Sequence, residues 1–134
     1  MGVDYPLQTL GGMSAIVLKL NYMAPLAIPG TGTESTVRMR LLNLAGTGST
    51  LSGINDRDTN ADTVDDQIQA SSRKTQGSVD PGPVFRVRFD CPAGTNVTLS
   101  KFSCSQEQAT DLSGSPFVPE LANLIGCVVT LSAP

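Results

Sequence analysis

Ser14 to Met23 reads SAIVLKLNYM, with Ile16, Leu18, Leu20 and Tyr22 at alternate positions and Lys19 and Asn21 between them. Side chains two apart lie on one face of a strand, so this stretch specifies a β-strand with one buried and one wet side. Thr36 to Leu44 (TVRMRLLNL) repeats the alternation, with Val37, Met39 and Leu41 inward and Arg38 and Arg40 outward. Pro83 to Cys91 (PVFRVRFDC) does so again, with Phe85, Val87, Phe89 and Cys91 inward and Arg86, Arg88 and Asp90 outward. Asn96 to Ser105, after the Pro92-Ala93-Gly94 turn, and Cys127 to Ser132 complete the set. Recurrent period-two patterning belongs to antiparallel sheets with one solvated face. With 13 Gly, 9 Pro and only 16% charged residues, the chain favours short strands and many turns over helices laced by ion pairs.

A length of 134 residues fits one domain, expected to be mainly β: an antiparallel β-sandwich or jelly roll. Ala24 to Gly32 (APLAIPGTG) carries Pro25 and Pro29, which remove ladder donors and suggest an extended edge or arm. Arms are accordingly expected at about 1–13 and 24–35. From Ala45 to Gly82 the chain runs 38 residues with no aromatic and only five large aliphatics, Leu51, Ile54, Val64, Ile68 and Val79. So long a polar excursion is expected to bind something, dock on a neighbour or stay disordered. Two short helices are expected. Val64 to Lys74 has acids at its start and bases at its end. Pro119 to Ile125 has Pro in its first turn and Gly126 just beyond.

Histidine is absent, which removes Ser-His-Asp and Cys-His catalysis and the commonest zinc ligand. The three cysteines, Cys91, Cys104 and Cys127, are widely spaced and contain no CxxC, the wrong pattern for structural zinc. Most carboxylates fall in Gly- and Ser-rich stretches, so an enzyme is not expected, nor is a cofactor. A net charge of −3 argues against nucleic acid and against an acidic membrane surface as partners. The N-terminal MGVDYP has no basic region and the best apolar run is broken by Lys19, so neither a signal peptide nor a membrane span is expected. An odd number of cysteines without a leader favours reduced thiols packed as small hydrophobes. A disulfide is the other outcome, with three pairings open.

Asp56-Arg57-Asp58-Thr59-Asn60-Ala61-Asp62 places oxygen side chains at positions 1, 3, 5 and 7 of a calcium-type loop. Ala61 stands where glycine is needed and Gln67 where a bidentate carboxylate is needed, so Asp56, Asp58, Asn60 and Asp62 form at best a weak metal candidate. The Gly30-Thr31-Gly32-Thr33 and Gly46-Thr47-Gly48-Ser49 pieces lack the Lys-Ser/Thr of a phosphate cradle and read as turns. Asn96-Val97-Thr98 matches the glycosylation sequon but reads as a strand start. If the strands bearing Arg38 and Arg40 and Arg86 and Arg88 are neighbours, like charges face across the sheet unless carboxylates such as Glu34, Asp90, Glu107 or Glu120 intervene. Otherwise the arginines form a docking face for an acidic partner. Trp is absent and there are six Tyr and Phe residues, which gives little support for a sugar-stacking face.

Small size, short alternating strands, the proline-bearing Ala24–Gly32 segment and the long polar excursion together resemble the jelly-roll cement, or decoration, proteins of tailed-phage capsids. The resemblance implies a virion structural protein, made in the host cytoplasm, that binds the exterior of an icosahedral shell. Its partners would be the major capsid protein and further copies of itself, as a dimer or other small oligomer that clamps neighbouring capsomers. Arg38, Arg40, Arg86 and Arg88, with Pro25 and Pro29 on the arm, are the expected partner contacts. The alternatives are a carbohydrate- or calcium-binding β-sandwich module for host recognition, and a secreted or pilus-type structural subunit.

Overall fold

The alternation at Ser14–Met23 becomes a strand over Ala15–Tyr22, with Ile16, Leu18, Leu20 and Tyr22 buried on one side. The computed structural model describes residues 1–131. In chain order its elements are β1 (Gly2–Asp4), α1 (Leu7–Leu10), β2 (Ala15–Tyr22), α2 (Ser35–Arg38), β3 (Leu41–Asn43), β4 (Ser49–Arg57) and β5 (Gln67–Lys74). They continue with β6 (Gly82–Pro83), β7 (Phe85–Val87), a single 3-10 turn at Leu99–Lys101, β8 (Phe102–Thr110), α3 (Pro119–Ala122) and β9 (Gly126–Val128). The chain is thus mainly β with a few one-turn helices.

The main sheet has strand order β4-β5-β2-β8, every pairing antiparallel. Its inner face carries Ile16, Leu18, Leu20 and Tyr22 from β2, flanked by Ile68 and Ala70 from β5 and Ala109 from β8. A three-stranded sheet, β6-β1-β9, and a two-stranded ribbon, β3-β7, are the other pairings. They add Val3 and Phe85 to the same core, with Val84 between β6 and β7, a layout consistent with a β-sandwich. Burying Ile16, Leu18, Ile68 and Phe85 contributes about 1.5–3 kcal/mol each relative to exposure.

Several expectations are corrected. The polar stretch Ala45–Gly82 is no loop: it supplies β4 and β5, half of the main sheet. It manages with few large aliphatics because Ala70 and Ser72 on β5 lie directly opposite Leu18 and Ile16, whose bulk fills the layer. The expected helix Val64–Lys74 is β5, where Ile68, Ala70 and Ser72 are buried at period two. Gly53 sits at a break in the β4–β5 register with φ of 61°, a left-handed conformation that favours glycine at a bulge.

The expected arms are also seated on the domain itself. In 1–13, β1 pairs with β6 and β9, and Val3, Tyr5 and Met13 are buried. In 24–35, Leu26 and Ile28 alternate into the core while Ala27 exchanges backbone hydrogen bonds with Asp90 at 3.1 and 2.7 Å. The expected strand Thr36–Leu44 is split: Glu34 O accepts the N–H groups of Val37 and Arg38, winding α2 before β3 begins. That turn shifts the phase, so Val37 is buried but Met39 is 78% exposed.

Asn96–Ser105 becomes a 3-10 turn followed by β8, and the helix expected at Pro119–Ile125 forms over its first turn as α3. Of the strand expected at Cys127–Ser132, β9 covers Cys127 and Val128, and Ser132 lies outside the described residues. The thiol expectation fails for two of three cysteines. Cys104 on β8 and Cys127 on β9 form a disulfide with Cα atoms 5.7 Å apart, joining the main sheet to the three-stranded one. Cys91 remains a free thiol, yet it is exposed instead of facing the core.

Candidate docking face

Strand pairing places Arg40, Arg86 and Arg88 on one ribbon. In the β3–β7 ribbon Leu41 opposes Val87, Leu42 opposes Arg86 and Asn43 opposes Phe85, while Arg88 N–H donates to Arg40 O at 2.9 Å just beyond. Phe85 therefore turns into the core with Leu41 and Val87 beside it. The other side of the ribbon presents Arg40, Leu42, Arg86 and Arg88. Leu42 is 54% exposed, with Arg86 directly opposite and Arg40 and Arg88 next along the same side, and Met39 lies one residue before Arg40. Arg38 does not join them on the ribbon, because α2 carries it.

Like charges do meet across this ribbon, and one carboxylate intervenes. Arg40 Nη1 donates to Asp90 Oδ1 at 2.8 Å and to Arg88 O at 3.3 Å. An exposed pair of this kind contributes about 0–1 kcal/mol. Glu107 pairs with Lys19 instead, at 3.0 Å. Among the described residues Arg38, Arg86 and Arg88 form no ion pair. Pro25 and Pro29 lie two residues either side of Ala27, whose bridge to Asp90 brings them to the Arg88 end of the ribbon. Pro25 is exposed and Pro29 half-buried. At the other end, Arg86 borders an open groove of about 560 Å³ walled by Val3, Leu44, Pro81, Pro83 and Val128.

The four residues of the calcium-type pattern do not converge. Asp56 lies in β4, fully buried, and accepts the Tyr22 hydroxyl at 2.6 Å. Its neighbours are turned onto their own loop: Asp58 accepts N–H groups of Asn60 and Thr63, Asn60 accepts that of Asp62, and Asp62 accepts that of Val64. Desolvation pulls the Asp58 carboxyl up, but the backbone N–H groups of Thr63, Asn60, Asp62 and Ala61 together hold it below the usual carboxylate range.

A second feature has no counterpart in the sequence-based expectations. On the outer face of the main sheet, Arg57 donates to Gln67 at 2.9 Å and to Gln69 at 2.8 Å. Gln67 in turn donates to Asn21 at 2.8 Å, and Asn21 to Ser103 at 3.1 Å. This side-chain chain crosses all four strands from β4 to β8. The signal was present as period-two polar residues within 49–57 and 67–74, which resemble loop composition when read without their partners. Comparisons with protein-family models, curated proteins and solved structures find no match to this chain.

Proposed function

We propose that this chain is a non-enzymatic structural subunit that docks through its β3–β7 ribbon onto an acidic protein surface. Its setting would be the exterior of an icosahedral tailed-phage capsid, where it would act as a cement protein between capsomers of the major capsid protein. The observation that carries this reading is the ribbon face itself. Arg86 and Arg88 stand unpaired among the described residues around an exposed Leu42. Arginine around a small apolar centre suits recognition of carboxylates on a partner, since the fork binds bidentately and the apolar contact supplies area. A subunit that binds only the assembled shell stabilises it by about 2.7 kcal/mol per site when free at a hundred times its dissociation constant. Particles stripped of the chain should disrupt at lower temperature than decorated ones, and adding it back should restore resistance. Equal robustness of stripped and decorated particles defeats the reading.

One observation favours a second reading, a secreted structural subunit. The Cys104–Cys127 disulfide is a bond that persists in oxidising compartments. Fractionation of the native source separates the two: co-sedimentation with capsids supports cement, and recovery from a cell-surface fiber supports the secreted subunit.

A further inference from the structure

The β4–β5 hairpin turns through Asp58–Asp66, nine residues that contain four aspartates and no lysine or arginine. Asp58, Asp62 and Asp66 are bonded to the loop's own N–H groups, and Asp66 also to the Thr59 hydroxyl at 2.7 Å. The tip is therefore a shaped element whose charge lies at its surface, with Asp62 exposed and Asp58, Asp65 and Asp66 half-buried, and on it Val64 is 52% exposed. None of these aspartates forms an ion pair among the described residues, and neither does Arg86 or Arg88. One chain thus carries two patches of opposite sign, each with an exposed aliphatic residue, one on the β3–β7 ribbon and one at the tip of the β4–β5 hairpin.

We propose that the β3–β7 ribbon of one copy receives the β4–β5 tip of a second copy, with Val64 against Leu42 and the tip carboxylates against Arg86 and Arg88. This deepens the assembly reading by naming the neighbour of the arginine face, and rests on it for where the contact operates. The patch given differs from the patch received, so the contact is heterologous and propagates head to tail unless rotation closes a ring. A nine-residue tip is well below the roughly 20–30 residues a side of a standard interface. The contact is therefore weak between free copies and persists where copies are held close together.

Sedimentation equilibrium of the full chain from about 10 µM to 1 mM at low salt tests this, because screening weakens exposed charge pairs. The wild-type chain should self-associate. Arg86→Glu with Arg88→Glu, and separately Asp62→Lys with Asp65→Lys, should each weaken association about tenfold or more. An equimolar mixture of the two variants should associate again, since each then offers the complement of the other's altered patch. Asp62→Asn with Asp65→Asn, which retains an acceptor in the turn, should weaken association without disturbing the far-UV circular dichroism. A wild-type chain that stays monomeric to about 1 mM, or a mixture no better than its components, overturns the proposal. If in addition the arginine variant leaves the particle while the aspartate variant stays, the ribbon faces a different acidic protein and the assembly reading survives alone. If neither variant alters particle occupancy, docking of the ribbon on the shell fails, while the self-contact is still decided by the mixture.

Discussion

Tyr22 donates its hydroxyl hydrogen to Asp56 Oδ1 at 2.6 Å inside the main sheet, across the width of β5, and Asp56 Oδ2 is left without a hydrogen-bond partner. A carboxylate so placed gives up its hydration for a single bond. Burial pushes its pKa up to about 6; the Tyr22 hydrogen bond opposes the rise, and the charges of Asp65 and Asp66 add to it. Burial and the same carboxylate raise the Tyr22 hydroxyl in turn.

The sign of the resulting pH dependence is fixed by that direction. A carboxyl whose pKa is higher folded than unfolded binds its proton more tightly in the native state. Its cost is therefore full above about pH 6 and is relieved as pH falls from there towards the ordinary value of 3.8. The difference corresponds to about 3 kcal/mol at most. Asp56→Asn should unfold at higher urea than wild type at pH 8, with the gap closing by pH 4. A gap that is constant with pH excludes titration of Asp56 as its source.

The Cys104–Cys127 bond closes a loop of 23 residues, for which the chain-entropy relation gives about 3 kcal/mol. Unreduced, denatured protein should take up one alkylating group, on Cys91, and three after reduction. Reduction should lower the melting temperature by several degrees. Three groups before reduction would show that the bond does not form.

The stretch Ala45–Gly82 can be tested as core against tip. Ile68 is fully buried on β5 opposite Leu20, so Ile68→Ala should cost about 2–5 kcal/mol in urea unfolding. Val64→Ala, on the exposed tip, should cost about 0.5 kcal/mol or less. Equal and negligible effects would mean that the stretch is not part of the cooperative fold.

What was legible in the sequence follows from where bulk is needed. β2 is flanked on both sides and fills the centre of the layer, so its alternation is strong and marks the strand nearly to its ends. Arg86 and Arg88 were legible as outward residues because Phe85, next to Arg86 on β7, must turn in. β4 and β5 were not, since apart from Ile54 and Ile68 their buried positions hold Ala70, Ser72 and Asp56, and their outward positions hold amides and hydroxyls that individually suggest turns. Arg38 was misplaced because alternation continues through Thr36–Arg40 even though the backbone there winds into one helical turn. The disulfide was hidden for a related reason: Cys104 and Cys127 meet only once two sheets have been laid together.

The chain of bonds from Arg57 through Gln67 and Asn21 to Ser103 has a colloidal consequence. Each of these side chains is tied to its neighbour across the sheet, and among the described residues none of the exposed large aliphatic side chains lies on this face. A face without an apolar patch should add little to self-association, so copies are expected to stay dispersed at high density with that side turned outward. Cutting one link, as in Asn21→Leu, would leave amides with open valences beside an added greasy patch. The first symptom would then be turbidity in concentrated stock, well before any loss of folding.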